Sequence, residues 1–365
     1  MQGYHLDWTP DYPAMRLGAI YVEQQHPKDI GRGLASQCGV ALAGSIEGAM
    51  DRARMEGKVD GVFFIAEHGE YPVSNTGQFM YPKREWFGRL LKWMESRGEV
   101  VPVFIDKMFS HRWEDADWMM REARRVGVPL MAGSTLPMTW RLPAGDTRRG
   151  AHLSEIGSLS YGRLDSYGFH ALEIVQGLAE RRFGGECGVR RVRAISGEAV
   201  WEALEDGTVD RALYEEVLHR PEGRQIRKDK PLRSLVKVPV LFLVEYEDGL
   251  KGSVLVLREL YPDWTAGWRY ADGERGGAVF WTQEARPFGH FAHLTRVIED
   301  FFRTGRSPWP VERTLMTTGL LDGLLTSLRD GGGWVETPHL KFRYESGWNW
   351  APLPEPPLGR PIHGL

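Results

Sequence analysis

Short apolar runs alternate with amphipathic stretches over the first third of the chain. RLGAIYVEQ (residues 16–24) is an apolar run ending in polar groups, and PKDIGRGLASQCG after it has helical spacing and stops at Gly39. This pair predicts a strand followed by a helix. The pattern recurs: VDGVFFIAE (59–67) predicts a buried strand, and REWFGRLLKWMESRG (84–98) an amphipathic helix stopped by Gly98. VVPVFIDK (100–107), WEDADWMMREARRVG (113–127) and VPLMAGS (128–134) continue as strand, helix and strand. Apolar strands separated by helices of this length predict an α/β layer, a parallel sheet covered on both faces.

After about residue 145 the period changes. DTRRGAHLSE is a polar bridge, and helical stretches follow around 165–183 and 197–219. KVPVLFLVEYEDGLKGSVLVLREL (237–260) sets two β-rich runs about EDG, a hairpin signal, and GGAVFWTQEA adds a strand. A large antiparallel sheet is expected, with HFAHLTRVIEDFFRTG and ERTLMTTGLLDGLLTSLRDGGG packing on it as helices. The end, PLPEPPLGRPIHGL, is Pro-rich and expected to be extended. The divisions predicted are 1–145, 146–345 (an α+β domain for substrate binding and oligomerisation) and an extended tail at 346–365. No internal repeat of fixed period occurs.

Composition narrows the function classes. The 365 residues are 42% apolar, enough for one large or two ordinary cores. Lys and Arg total 46 against 49 for Asp and Glu, so a net charge of −3 supplies no general field for nucleic acid or an anionic membrane. Small-molecule work fits better. No apolar run approaches the roughly 18–20 residues a bilayer span needs, and MQGYHLDWTP lacks a basic start and an apolar core. Cys38 and Cys187 lie far apart with no CxxC or His-rich partner, which gives no disulfide framework or structural zinc site. A cytoplasmic protein is expected.

Chemistry is expected where the parallel strands end, since open α/β sheets bind ligands beyond their carboxyl edge. AEHGEYP places Glu67, His68, Gly69 and Glu70 after one strand, and Asp106 and Lys107 follow another. AGSTLPMTWR offers small residues for ligand approach and Arg141 for an anionic or polyhydroxyl group. SYGFHALE (166–173) puts His170 in a helical stretch with Glu173 one turn later. Each has a plainer role: His170 as a hydrogen-bonded core histidine, Tyr167 as a packing residue rather than a substrate contact, Lys107 as a surface lysine. Trp113, Trp118, Trp140, Trp264 and Trp268 suit carbohydrate stacking and cores equally.

These residues carry a resemblance. Strand, DK, helix and strand resemble the region around the Glu-Lys-Pro motif of the Gfo/Idh/MocA oxidoreductases, and SYGFHALE resembles their D-x-G-x-H-A-L-D helix. The resemblance spans nearly the whole chain and implies a Rossmann-like front, a large sheet behind, and an NAD- or NADP-dependent dehydrogenase acting on sugars, polyols and their derivatives. It implies that Lys107 and His170 frame the substrate beside the nicotinamide, that Glu23 holds a ribose hydroxyl, and that Glu67, His68 and Asp106 face the cofactor rather than a metal. His170, with an ordinary pKa near neutrality, is expected to be the proton acceptor or shuttle. The antiparallel sheet is implied as a homo-oligomer surface.

The departures are specific. Asp106 stands for the motif glutamate, Met108 for the proline, and Ser166 for the aspartate four residues before the histidine, with Asp165 adjacent. RLGAIYVEQ corresponds to the family's second strand, and only MQGYHLDWTPDYPAM precedes it, so an N-terminally incomplete Rossmann-like sheet is expected, through a misplaced start or a natural loss. GRGLAS (31–36) is a G-x-G-x-x-S near-match expected to be ordinary helix, because the motif cradles phosphate only when it links strand directly to helix. The alternatives to a dehydrogenase are a lyase, hydratase or hydrolase acting on an oxidised sugar, and a non-catalytic protein that lost cofactor binding.

Overall fold

The structure, a computed structural model, describes residues 3–4, 10–11, 13–26, 29–220, 230–258, 260, 263–282 and 289–350. The Pro-rich tail from 351 onward lies outside the described residues. Gly3–Tyr4 (β1) and Pro10–Asp11 (β2) pair antiparallel. The α/β layer then runs Ala19–Tyr21 (β3), Gly31–Gln37 (α1), Ala41–Ala43 (β4), Ile46–Met55 (α2), Val62–Phe64 (β5), Lys83–Arg97 (α3), Val103–Asp106 (β6), Trp113–Val126 (α4) and Leu130–Gly133 (β7). All its strand pairs are parallel, but they form two pieces, β3–β4 and β5–β6–β7.

Among the described residues no strand joins β3 to β5, and a side chain bridges the loops that follow them. Gln24 Nε2 donates to Glu70 O at 3.0 Å, while Glu70 N donates to Gln24 Oε1 at 2.7 Å, so the amide imitates a peptide unit. α3 and α4 stop at Gly98 and Gly127, both left-handed, as the glycine punctuation predicts. The sequence pattern gave no assignment to β4 and α2. A three-residue strand is too short to show a period, yet the helix is well started, with Ser45 Oγ accepting from Gly48 N at 2.9 Å.

Side chains alternate across β6. Val103 and Ile105 join Phe87, Leu90, Met94 and Met119 beneath α3 and α4, whereas Phe104 faces Ile298, Phe301 and Phe302. Those last residues belong to α9 (Gly289–Thr304). This corrects the expectation that α9 packs on the antiparallel sheet: its apolar stripe covers the second face of the parallel strands, with Phe63 and Phe302 edge to face at 5.1 Å.

The large sheet is built from Trp140–Leu142 (β8), Leu153–Ser160 (β9), Val189–Ser196 (β10), Val240–Tyr246 (β11), Lys251–Val256 (β12), Thr265–Tyr270 (β13), Arg275–Trp281 (β14) and Val335–Glu336 (β15). Its order is β15-β10-β11-β12-β9-β13-β14-β8, with every pair antiparallel except β12–β9. The sheet is therefore mixed. The EDG hairpin forms as expected, β11 to β12, with Tyr246 N donating to Leu250 O at 3.0 Å.

Ser166–Ala179 (α5) and Glu312–Arg329 (α10) pack on one face through Phe169, Leu172, Met316 and Leu320. The predicted helix at 197–219 is two, Glu198–Glu205 (α6) and Arg211–Leu218 (α7), parted at left-handed Gly207; Leu232–Leu235 (α8) follows. Residues of α6 and α7 form a second core with Leu159, Leu241 and Leu255 on the opposite face. Close approach needs bare backbone at Gly157 and Gly267, where a Cβ would lie 3.1 Å from the Tyr214 ring and 3.0 Å from Leu213 O. Part of that sheet face is thus covered by the chain's own helices. Among the described residues no helix is long and apolar enough to cross a membrane.

Candidate active site

The carboxyl ends of β5, β6 and β7 meet the start of α5. Lys107, directly after β6, has φ 63°, a left-handed conformation unusual for a side-chain-bearing residue, and its N–H donates to Gly133 O at 3.2 Å. Its ammonium lies 2.5 Å from Asp106 Oδ2. Burial works to lower the Lys107 pKa, but Asp106 and Glu67 outweigh it and hold the ammonium above its usual range. Lys107 is therefore a fixed positive charge at neutral pH.

Lys83, at the start of α3, is 1% exposed. Its Nζ donates to Glu67 Oε1 at 2.7 Å, Met108 O at 2.8 Å and Asp106 O at 3.4 Å. Glu67 is thus held by an internal ion pair while it also lines the cavity described below. Sequence reading missed Lys83; the available signal was a lysine beside Pro82 at the head of an apolar helix, which ordinarily marks only a solvated first turn.

His170 lies one turn into α5, whose start Asp165 caps by accepting from Ser166 N at 2.8 Å. His170 Nδ1 is 2.6 Å from Ser134 Oγ, which also accepts from Leu136 N at 3.0 Å. Behind it, buried Glu173 accepts from Ser134 N at 3.2 Å and from the Thr317 hydroxyl. Gly133 is required here: its φ is 122°, and a Cβ would stand 2.6 Å from both Glu173 Oε2 and Thr314 Oγ1. Burial, with Arg313 opposing, raises the Glu173 pKa.

Burial, then the Lys107 ammonium, then His290, lower the His170 pKa to about 3. This corrects the expectation of an imidazole poised near neutrality. His290, whose pKa burial lowers to about 4, behaves alike. Because the unfolded chain protonates these rings near pH 6.5 and the folded chain does not, their contribution to stability is full above about pH 6.5 and is lost as pH falls toward the folded values. The His170 ring resonances are expected to keep neutral-imidazole shifts from pH 8 down to about 5 in two-dimensional NMR, whereas a midpoint near 6.5 would contradict the desolvated site.

A cavity of about 190 Å³ opens beside this centre, lined by His68, Phe79, Tyr81, Met108, His111, Arg163, Asp165 and Tyr167 among others. His68 has φ 66° and its N–H donates to Tyr81 Oη at 3.2 Å. Arg163 pairs with Asp165 at 3.2 Å and lies over the Phe79 ring, 4.2 Å from its centroid. Tyr167 stacks on Trp264 with centroids 5.7 Å apart, so it both packs and lines the cavity. Tyr81, His111 and Arg163 escaped the sequence reading because they come from loops with no period.

The other expected residues lie elsewhere. Arg141 is turned inward: it donates to Pro137 O at 2.8 Å and to Thr139 O, pairs with Asp146 at 3.4 Å and covers Phe280. Burial lowers its pKa to about 10, and like Lys107 and His170 it is not among the residues that line the cavity. Glu23 is exposed after β3, accepting from the Tyr21 hydroxyl. GRGLAS lies within α1, as expected, and Asp29 Oδ1 accepts from Gly31 N at 2.7 Å, setting a carboxylate at that helix start.

In sequence the chain matches no family model and no curated protein. In structure it is similar to an inositol dehydrogenase described from Sinorhizobium meliloti 1021, with TM-score 0.55 at 12% identity over 88% of this chain and 92% of that one. The chain has the Gfo/Idh/MocA oxidoreductase fold. A dehydrogenase from Thermotoga maritima gives TM-score 0.54 at 15% identity, covering 86% of this chain and 90% of that one. GenD2 from gentamicin A biosynthesis, solved in complex with NAD, gives 0.53 at 15% identity over 84% and 85%.

Proposed function

We propose that the chain is an oxidoreductase acting on a hydroxyl-bearing small molecule of the sugar or polyol class, with its reacting oxygen between Lys107 and His170. The observation that carries this reading is the convergence of a fixed ammonium from the end of β6 with a neutral imidazole from α5, close enough for Lys107 to depress the His170 pKa. Lys107 donates to the substrate oxygen and stabilises negative charge developing there. In the tautomer whose Nδ1–H donates to Ser134 Oγ, His170 Nε2 is the nitrogen left to accept a proton. The similar dehydrogenases support the substrate class and a nicotinamide as hydride partner.

The described residues do not fit a dinucleotide's pyrophosphate. They contain no glycine-rich turn from strand to helix at the split, and the α1 start carries Asp29 against Gly31 N. No step is therefore routed through that group. The same misfit favours a second reading, proton transfer beside a carbonyl by a lyase or hydratase of oxidised sugars, which uses the same ammonium and imidazole. The oxidoreductase reading predicts saturable quenching of tryptophan emission by NADH or NADPH, confirmed by equilibrium dialysis. No binding, together with elimination or hydration of a keto sugar, would move the assignment to the second reading.

A further inference from the structure

We propose that Lys83 is a positioning residue that sets the Lys107 ammonium, by clamping the two carbonyls that flank Lys107 against Glu67. This rests on the Lys107-centred reading above. The Asp106 and Met108 carbonyls lie on either side of Lys107, and Lys83 Nζ donates to both, at 3.4 and 2.8 Å. The residue between them is the one at φ 63°. A lysine gains nothing locally from that conformation, so surrounding bonds must hold it. Lys107 N on Gly133 O supplies one bond from β7, and Lys83 supplies two from α3.

The third Lys83 donor goes to Glu67, itself one of the carboxylates that keep Lys107 protonated. One buried ammonium thus fixes both the backbone under Lys107 and the position of a charge acting on it. A buried amine with this set of acceptors cannot be replaced by arginine, whose planar fork does not converge on three oxygens. Met108, standing where the family motif has proline, leaves the loop without a ring to restrict its backbone, and Lys83 supplies the restraint from outside.

The test reads Lys107 directly and needs no substrate. Lys107 is acetylated competitively with acetic anhydride across a pH series, and its rate is followed by peptide mass spectrometry against exposed Lys58. In Lys83→Met, Lys107 is expected to relax away from Asp106 and Glu67, and each unit of pKa lost raises its free-amine fraction about tenfold at fixed pH. Lys83→Met/Glu67→Leu removes the unpaired buried carboxylate, so it is expected to regain melting temperature, with a Lys107 profile that differs from that of Glu67→Leu alone, which keeps the clamp on the two carbonyls. A wild-type Lys107 profile in folded Lys83→Met overturns the proposal, as does a double-variant profile identical to that of Glu67→Leu alone. Absence of turnover on sugars would count against the oxidoreductase reading and leave this measurement untouched.

Discussion

Lys107→Met is expected to lower kcat/KM by about two to three orders of magnitude, the usual cost of removing one preorganised charge from a developing oxyanion. Methionine keeps the length of the stem in its partly buried channel, and Asp106, 18% exposed at its side chain, can be rehydrated once its partner is gone. The fold should survive. Turnover is measured on the polyol or keto-sugar derivative found by substrate screening, with circular dichroism melting as the control. Wild-type-like activity in the folded variant would remove Lys107 from the centre and leave the convergence with His170 without a catalytic meaning.

Arg313→Met is expected to destabilise the protein by about 3–5 kcal/mol, read by urea unfolding. Arg313 on α10 donates through Nε and Nη2 to both oxygens of Glu180, and each side chain is 1% exposed. Removing the guanidinium strands a carboxylate in the interior. It also removes the positive charge that opposes the raised pKa of Glu173, whose carboxylate supports Ser134 and through it His170. Arg313→Met/Glu180→Leu should recover most of the loss, because the stranded carboxylate goes with its partner. A single variant as stable as the parent would show that water reaches Glu180.

The placement of Lys107 and His170 was legible because each follows from a local pattern: an apolar strand that ends in charge, and a histidine one turn into a helix. Lys83 was not. Its first-turn position is ordinary, and only the packing of α3 against β6 makes its amine the shared donor for two carbonyls and Glu67. Arg141 shows the reverse error. A strand-adjacent arginine reads as an anion site, but the turn at 136–138 folds its own carbonyls onto the guanidinium. The Lys83 partner of Glu67 was hidden for a related reason, since a carboxylate at a strand end looks free until its counter-ion is known.

By itself, the sequence determined the alternation of strands and helices in the front of the chain, the glycine stops of α3 and α4, the β11–β12 hairpin and the place of Lys107 at a strand end and of His170 on a helix. Those features are set by period, by backbone preference and by the direction in which a strand runs out. The tertiary structure alone decided that α9 covers the parallel strands, that β9 and β12 run parallel, that α6 and α7 close the sheet's other face, and that His170 is held neutral. An apolar stripe states that a face must be buried but not against which of two equally apolar layers. A side chain's charge depends on how much water and which partners remain around it, and both are fixed only when distant segments have packed.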